Sequence, residues 1–195
     1  MGSVASHNQL TIAFLTWGFK AGGAPTANGK QRVDDSSSEN NLSASSSPTT
    51  ALQYSDTFSN VKQSVNSVGK FSITYFEGGT SSVRKIPHGL GGTPDFIIIR
   101  RLDATANWHV LHKSMPGFAQ YFARLDTSDA PINDENSFPT TPDANHVYTG
   151  LTVMNGNVAA GQSCIMYCWK AVDGVSAFGS YSGTAAAQTI TYANS

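Results

Sequence analysis

A histidine among glycines is the first place in this sequence where chemistry could occur. His88 follows Pro87 and precedes Gly89, and Asp95 comes shortly afterwards. A histidine near a carboxylate can act as a general base. The same ring can also hydrogen-bond to the backbone of its own turn, where glycines and prolines set unusual backbone angles. We favour this second role, in which His88 stabilises the turn.

An oxygen-rich loop over residues 126–145 is the second candidate. Carboxylate and amide oxygens are the ligands that Ca²⁺ prefers, although the spacing here does not match an EF-hand loop. We therefore expect a solvated loop and no metal site, with no catalytic residue and no cofactor. The loop side chains that remain as weak candidates for ligand binding are Asp126, Asp129, Asn133 and Asp134.

Two pairs of residues elsewhere lack the geometry for a shared reaction. His109 and His112 would point to opposite faces of one strand, which disfavours a shared metal. Cys164 and Cys168 also fall on one apparent strand, where their Cα atoms would be about 13 Å apart. Because a disulfide needs about 4.4–6.8 Å, we expect these cysteines to behave as small buried hydrophobic residues.

Large aromatic side chains could stack on sugar rings. The candidates are Trp17, Trp108, Tyr167 and Trp169. They alternate with aliphatic residues, so we assign them first to the core or to a subunit interface. A glycan-degrading enzyme would also need paired carboxylates in one cleft. Because no such pair stands out, we predict that the protein is not an enzyme.

Composition narrows the class of protein. The chain has 195 residues, a formal net charge of −1 and only 13% charged residues, which argues against a nucleic-acid partner. Its abundance of Gly, Ser and Thr is typical of an all-β chain. The first residues lack a secretory signal pattern, and no apolar run is long enough to span a membrane. We expect a soluble protein without membrane insertion.

The elements that would position these residues are strands. Alternating or densely apolar stretches between turn residues predict them over 10–20, 70–76, 96–101, 108–112, 118–125, 146–154 and 163–171. Residues 118–125 also fit a helical stripe, and we prefer a strand because the neighbouring elements are strands. The expected fold is all-β, an antiparallel β-sandwich or jelly-roll with an extended N-terminal arm.

The chain divides into three regions. Residues 1–68 combine one strand with a serine-rich stretch that fits either a linker or an arm that orders on a partner subunit. Residues 69–183 form the β-sandwich module, and residues 184–195 form a C-terminal tail. Residues 15–21 resemble residues 165–171, and both segments end in Lys-Ala. We interpret the first segment as the last strand of a preceding unit.

Four motifs together carry a family resemblance. In order they are Ile86–Arg100 (IPHGLGGTPDFIIIR), Asn107–His112 (NWHVLH), Tyr167–Lys170 (YCWK) and Phe178–Gly183 (FGSYSG). The set resembles a repeated β module of bacteriophage tail-fibre and virion structural proteins, especially in phages of cyanobacteria and marine bacteria. Residues 17–27 resemble the end of such a module running into its linker. The family has no established catalytic residues to carry over.

The resemblance implies a virion structural protein that assembles in the host cytoplasm as a homo-oligomer, with a trimer favoured, beside other virion proteins. The main hypothesis is a tail-fibre-type module that recognises the host surface, with a cell-surface glycan as a candidate partner. Loops 102–107, 113–117 and 126–145 would contact that surface, and multivalency would raise weak binding. The alternative is a capsid decoration or cement protein that stabilises the shell through its N-terminal arm. A glycan-binding or glycan-degrading β-sandwich is less favoured.

Overall fold

The computed structural model of the protein describes residues 18–20, 22, 62–77, 83–118, 120–150, 162–184 and 186–191. Within these ranges the chain forms strands and connecting loops and contains no helix long and apolar enough to cross a membrane. The predicted all-β, antiparallel fold is confirmed. The serine-rich arm and most of the predicted strand over residues 10–20 lie outside the described residues.

Nine strands make up the described part of the fold. They are β1 (Lys62–Asn66), β2 (Phe71–Glu77), β3 (Val83–Pro87), β4 (Phe96–Arg101), β5 (His109–His112), β6 (Tyr121–Arg124), β7 (Ile132–Asn133), β8 (His146–Gly150) and β9 (Ser163–Trp169). β1 lies before residue 69, where the sequence placed the start of the module. The division into three regions stays a prediction.

Seven of these strands form one antiparallel sheet, in the order β1-β2-β9-β4-β5-β6-β7. The last of the described strands, β9, therefore lies inside the sheet, paired with β2 on one side and β4 on the other. β3 and β8 pair with each other as a separate two-stranded sheet. All of these pairings are antiparallel, so short loops can connect neighbouring strands such as β4, β5 and β6.

The core lies between the two sheets. Ile86 of β3 and Val147 of β8 are fully buried in one cluster with Ile97, Ile99 and Met166 of the large sheet. The small sheet thus covers one face of the large sheet, here called the inner face, and the opposite face is the outer face. The result is a β-sandwich with unequal layers.

β9 shows the alternation that the sequence predicts. Cys164, Met166 and Cys168 are fully buried on the inner face, and neither cysteine forms a disulfide. Ile165 and Tyr167 are half-buried on the outer face. Burial raises the pKa of the Cys168 thiol, so this group stays protonated and unreactive at neutral pH. The expectation that both cysteines are buried hydrophobic residues is confirmed.

β2 places polar side chains toward the core. Ser72 and Thr74 are buried on the inner face with Phe76, whereas Ile73 and Tyr75 are only half-buried on the outer face. The sequence therefore predicts the strand and its half-buried character, but hydrophobicity alone would select the wrong inner face.

Hydrogen bonds between the sheets explain why Thr74 lies on the inner face of β2. The amide nitrogen of Gln63 donates to Thr74 Oγ1 at 2.9 Å and to the carbonyl oxygen of Pro87 at 2.8 Å. Thr74 Oγ1 donates to the same carbonyl at 3.1 Å. Buried polar groups need such partners, and here they connect β1 and β2 to β3.

The structure also shows the secondary structure of three segments for which the sequence predicts a strand or a loop. Residues 118–125 contain β6, so the strand interpretation is confirmed. Residues 127–145 are not loop throughout, because β7 lies among them and pairs with β6. The predicted strand over 146–154 begins as β8, and its last four residues lie outside the described residues.

Gly150, at the end of β8, has no room for a side chain. A Cβ atom there would overlap the carbonyl oxygen of Asn136, and the backbone N–H of Gly150 donates to the carbonyl oxygen of Ser137 at 2.7 Å. We expect Gly150→Ala to lower the free energy of unfolding by about 3 kcal/mol, because the loop must move away from β8. Chemical denaturation measures this loss.

Gly183→Ala is the matched control for this prediction. A Cβ atom at Gly183 would have no heavy atom within 4 Å, so the change should alter the free energy of unfolding by less than about 0.5 kcal/mol. Equal losses in the two variants would contradict the close packing of the loop on β8.

Candidate recognition surface

The glycine-rich turn before β4 is a structural element. The His88 ring is fully buried. Its Nδ1 accepts a hydrogen bond from the Leu90 N–H at 3.2 Å, and its Nε2 donates to the carbonyl oxygen of Asp143 at 3.1 Å. Gly89 and Gly91 have φ values of 72° and 65°, which glycine adopts without strain. The favoured interpretation of His88 as a turn-stabilising residue is confirmed.

Electrostatics agree with this role for His88. Burial lowers the pKa of the ring to about 4, so the ring is neutral at pH 7. Asp95, the carboxylate that would have made His88 a general base, has other partners. It accepts a hydrogen bond from the Ala171 N–H at 2.6 Å and pairs with Lys113 Nζ at 2.9 Å. The geometry therefore gives no support to a His88–Asp95 catalytic pair.

The two histidines of β5 face opposite sides of the sheet, as predicted. His109 is buried on the inner face, with its ring centroid 4.9 Å from that of Phe122. His112 is half-buried on the outer face beside Phe96. Burial lowers the pKa of His109 to about 4. Among the residues that the structure describes, no three His, Cys, Asp or Glu side chains are grouped to hold a metal ion.

Antiparallel pairing divides the surface loops between two ends of the large sheet. Loops 102–108 and 125–131 lie at the same end of the sheet, because β4 and β6 end there and β5 and β7 begin there. We call this the Trp108 end. Loop 113–120 and the loop after β7 lie at the opposite end, which we call the Trp169 end. The predicted contact loops 102–107 and 113–117 therefore cannot meet one flat surface together.

Two of the four weak binding candidates lie at the Trp108 end. Asp126 Oδ1 accepts a hydrogen bond from the backbone N–H of Trp108 at 3.2 Å. Asp129 Oδ2 lies 3.5 Å from Arg124 Nη1, at the surface. Both carboxylates are exposed, and Asp126 lies beside the large aromatic residue Trp108.

The other two candidates lie at the Trp169 end. The Asp134 carboxylate accepts hydrogen bonds from the N–H groups of Asn136 and Ser137 and from the Ser137 hydroxyl. These bonds close a turn that leads Phe138 into the core. Asn133 is exposed on β7. Asp134 is thus a turn-capping residue, and the four candidates do not form one site.

A shallow depression lies on the outer face at the Trp108 end. It is lined by Ile98, Trp108, Leu125 and Asp126, with a volume of about 390 Å³, which is in the range of small-ligand sites. Leu125 is 59% exposed. The depression thus combines an aromatic surface, aliphatic side chains and one carboxylate at its edge.

Trp108 is held firmly in this depression. Besides the bond from its N–H to Asp126, its carbonyl oxygen accepts from the Leu125 N–H at 3.0 Å. The guanidinium carbon of Arg100 lies 4.6 Å from the indole centroid, a cation–π distance. A side chain ordered in advance loses little conformational entropy when a ligand binds.

Positive and negative charges balance around Trp108. The Arg101 guanidinium forms a bidentate pair with Asp103, at 2.6 and 3.0 Å, and the pair at Arg124 was described above. Six charged side chains in this region comprise three arginines and three aspartates: Arg100, Arg101, Arg124, Asp103, Asp126 and Asp129. Of these, Arg100 and Asp126 lie on the outer face beside Trp108, whereas the strand register places Arg101 and Arg124 on the inner face. The opposite charges of Arg100 and Asp126 cancel, so the surface beside Trp108 does not select strongly for charged ligands.

Aromatic rings cover the outer face at the Trp169 end. The Trp169 ring centroid lies 4.9 Å from that of Phe71 and 5.4 Å from those of Phe96 and Phe19. Phe178 stacks on Phe96 at 5.8 Å. Phe19 and Phe178 come from segments before and after the strands, so flanking parts of the chain occupy this end.

The four aromatic residues proposed to stack on sugars thus have different environments. Trp169 is buried in the aromatic cluster, and Tyr167 is half-buried next to it, with centroids 6.1 Å apart. Trp108 lines the depression. Trp17 lies outside the described residues.

Sequence reasoning missed two lining residues of the depression, Ile98 and Leu125, and the arginine over its indole, Arg100. Ile98 and Arg100 were assigned only to a core strand, and Leu125 to an ambiguous segment. The outward alternation of Ile98 and Arg100 along β4 is visible in the sequence. Their position beside Trp108 follows from the β4–β5 register, which pairs Ile99 with His109, and that register cannot be read from either strand alone.

Comparison with known families gives one match. Residues 44–193 match the model of a domain of unknown function, DUF7483. Neither the curated proteins nor the solved structures contain a significant match to the chain.

Proposed function

The chain belongs to the DUF7483 family, a domain of unknown function. We propose that it is a non-catalytic phage virion protein whose β-sandwich recognises the host surface. The motif resemblance to tail-fibre modules supports the virion role. The protein would assemble in the host cytoplasm, act as a homo-oligomer such as a trimer, and join other virion proteins.

One observation carries the recognition role. The depression beside Trp108 is open to solvent at one end of the sheet, whereas Phe19 and Phe178 pack at the other end. A module attached through its flanking segments at the Trp169 end would present the Trp108 end outward. Loops 102–108 and 125–131 would then meet the host surface, and several copies would raise the apparent affinity of weak contacts.

A cell-binding measurement tests this function. Fluorescently labelled full-length protein should bind cells of the phage's host, and Leu125→Glu should weaken binding at least tenfold because it places a charge in the depression. Val175→Glu is the matched control, since Val175 is also an exposed apolar residue, at 75%, but does not line the depression. Wild-type protein that fails to bind host cells would overturn the recognition role.

A second candidate, a capsid decoration protein, is favoured by a different contact. The segment around Phe19 docks on the large sheet: the Asn66 amide nitrogen donates to the carbonyl oxygen of Lys20 at 3.1 Å. Gly22 lies so close to Val65 that a Cβ atom would overlap the Val65 carbonyl group. In a shell, the same segment could dock on a neighbouring copy.

Two measurements separate the candidates. Immunogold labelling of phage particles should mark tail fibres for the first function, and labelling of the shell alone would favour decoration. If arms are exchanged between copies, Gly22→Val should lower the molar mass of the oligomer in light scattering. Gly18→Val is the control, because a Cβ atom at Gly18 has nothing within 4 Å. An unchanged mass in Gly22→Val would rule out exchange through this contact.

A further inference from the structure

The depression beside Trp108 has features that identify a ligand class. Its floor is apolar, from Trp108, Ile98 and Leu125, and a carboxylate, Asp126, stands at its edge. A protein partner that buried this surface would have to desolvate that carboxylate, which is costly without a matching donor. A ligand with both an apolar face and hydroxyl groups fits better.

A pyranose ring has these two properties. Its C–H groups form an apolar face that can lie on an indole, and its hydroxyls at the ring edge can donate to a carboxylate. One Asp126 oxygen accepts from the Trp108 backbone, but a carboxylate has about four acceptor positions. The Asp126 carboxylate can therefore accept a ligand hydroxyl without releasing Trp108.

The surrounding charges select against an acidic sugar. Arg101 is engaged by Asp103, and Arg124 by Asp129. Arg100 lies over the indole, at 4.6 Å, with Asp126 on the same surface. A uronate or sialate carboxylate bound on this surface would face Asp126 as a like charge.

From these contacts we propose that the depression binds one ring of a neutral glycan, with the ring stacked on Trp108 and a hydroxyl donating to Asp126. This inference rests on the proposed recognition function and adds the ligand class. A volume of about 390 Å³ suits one or two sugar rings rather than a long chain. Single sites of this size bind weakly, so the oligomer supplies the avidity.

Chemical treatment of host cells tests the ligand class with the full-length protein. Periodate cleaves the vicinal diols of sugars, whereas protease removes surface proteins. We expect binding to fall at least tenfold on periodate-treated cells and to persist on protease-treated cells. Binding should also change little between low and high salt, because a neutral ligand makes no screened charge contacts.

Two variants locate the ligand on the depression. Trp108→Ala should lose at least tenfold in cell binding. Because that change could also disturb the fold, Leu125→Asn at an exposed position provides a second test, with Val175→Asn as its control. Both depression variants should weaken binding to untreated cells. The thermal unfolding midpoint of Leu125→Asn should stay within a few degrees of that of the wild-type protein.

The outcomes distinguish this inference from the function on which it rests. Binding that survives periodate but is lost after protease would identify a protein receptor and overturn the glycan, while recognition would stand. Binding that falls steeply with salt would indicate a charged ligand and would also overturn the inference. Unchanged binding by Leu125→Asn would exclude the depression. No binding by wild-type protein would overturn the recognition function itself.

Discussion

Acidifying the protein from pH 7 to about pH 4 is expected to lower its free energy of unfolding by about 5 kcal/mol. The cause is a pair of buried neutral histidines, His88 and His109, whose folded-state pKa is lowered from 6.5 to about 4 by burial. Between pH 6.5 and about pH 4, these two histidines bind protons in the unfolded chain but stay neutral in the folded chain. Stability is therefore full above pH 6.5 and is lost as the pH falls through about 4.

The expected size follows from the same shifts. Each pKa unit corresponds to about 1.4 kcal/mol, and we take about 2–3 kcal/mol for each histidine. The lowered pKa values of His112 and His146, also caused mainly by burial, act in the same direction. Asp143, whose pKa is lowered to about 2, contributes only as the pH falls from about 4 to 2, outside the histidine window.

Urea denaturation at a series of pH values measures this effect. His88→Gln keeps one donor and one acceptor but cannot titrate in this range, so its stability should fall about half as steeply between pH 7 and 4. His112→Gln, at a half-buried position, should change the slope much less. A wild-type free energy of unfolding that stays level over this range would contradict the burial of neutral His88 and His109.

Phe138→Ala is expected to cost about 3–5 kcal/mol of free energy of unfolding. The Phe138 ring is completely buried in the core, with its centroid 5.5 Å from that of Phe122. Removing it leaves a cavity between the loop after β7 and the inner face of the large sheet. Thermal and chemical denaturation measure the loss.

Matched variants make the Phe138 prediction specific. Val175→Ala removes apolar atoms from a side chain that is 75% exposed and should cost less than about 0.5 kcal/mol. Phe138→Leu refills much of the cavity and should recover more than half of the loss. A cost below about 1 kcal/mol for Phe138→Ala would mean that the loop does not belong to the core.

Phe138 also shows where sequence reasoning reaches its limit. Alternation and turn residues were enough to predict six of the nine described strands, the opposite faces of His109 and His112, and the buried cysteines, but not β1, β3 or β7. Phe138 lies instead in a stretch rich in proline, aspartate and asparagine, with no alternation around it. Its burial depends on the turn closed by Asp134, a local hydrogen-bonding choice that hydrophobic periodicity does not encode.

β2 illustrates a second limit. Hydrophobicity favours Phe71, Ile73 and Tyr75 as the inner face, yet Ser72 and Thr74 face the core. The burial of Thr74 is offset by the hydrogen bond that its hydroxyl donates to the carbonyl oxygen of Pro87 in the small sheet. Such partners come from distant parts of the chain, so a single strand cannot reveal them.

The candidate site was less predictable than the fold. Trp108 and Asp126 were both singled out, one as an aromatic candidate and one as a weak loop candidate, but their adjacency was not foreseen. It depends on the pairing of β5 with β6 and on the hydrogen bond between their ends. Two other loop candidates, Asn133 and Asp134, lie at the opposite end because successive antiparallel connections alternate between the two ends of the sheet.

The central place of β9 has a consequence for how the chain acquires its structure. β1 and β2 pair with each other early in the chain, and β4 to β7 form a second local group. Among the described strands, only β9 joins the two groups. During translation, β2 and β4 each keep one edge unpaired until β9 (Ser163–Trp169) has been synthesised. Insertion of β9 between β2 and β4 is then a long-range step, which favours slow folding and leaves the nascent chain exposed to misassociation.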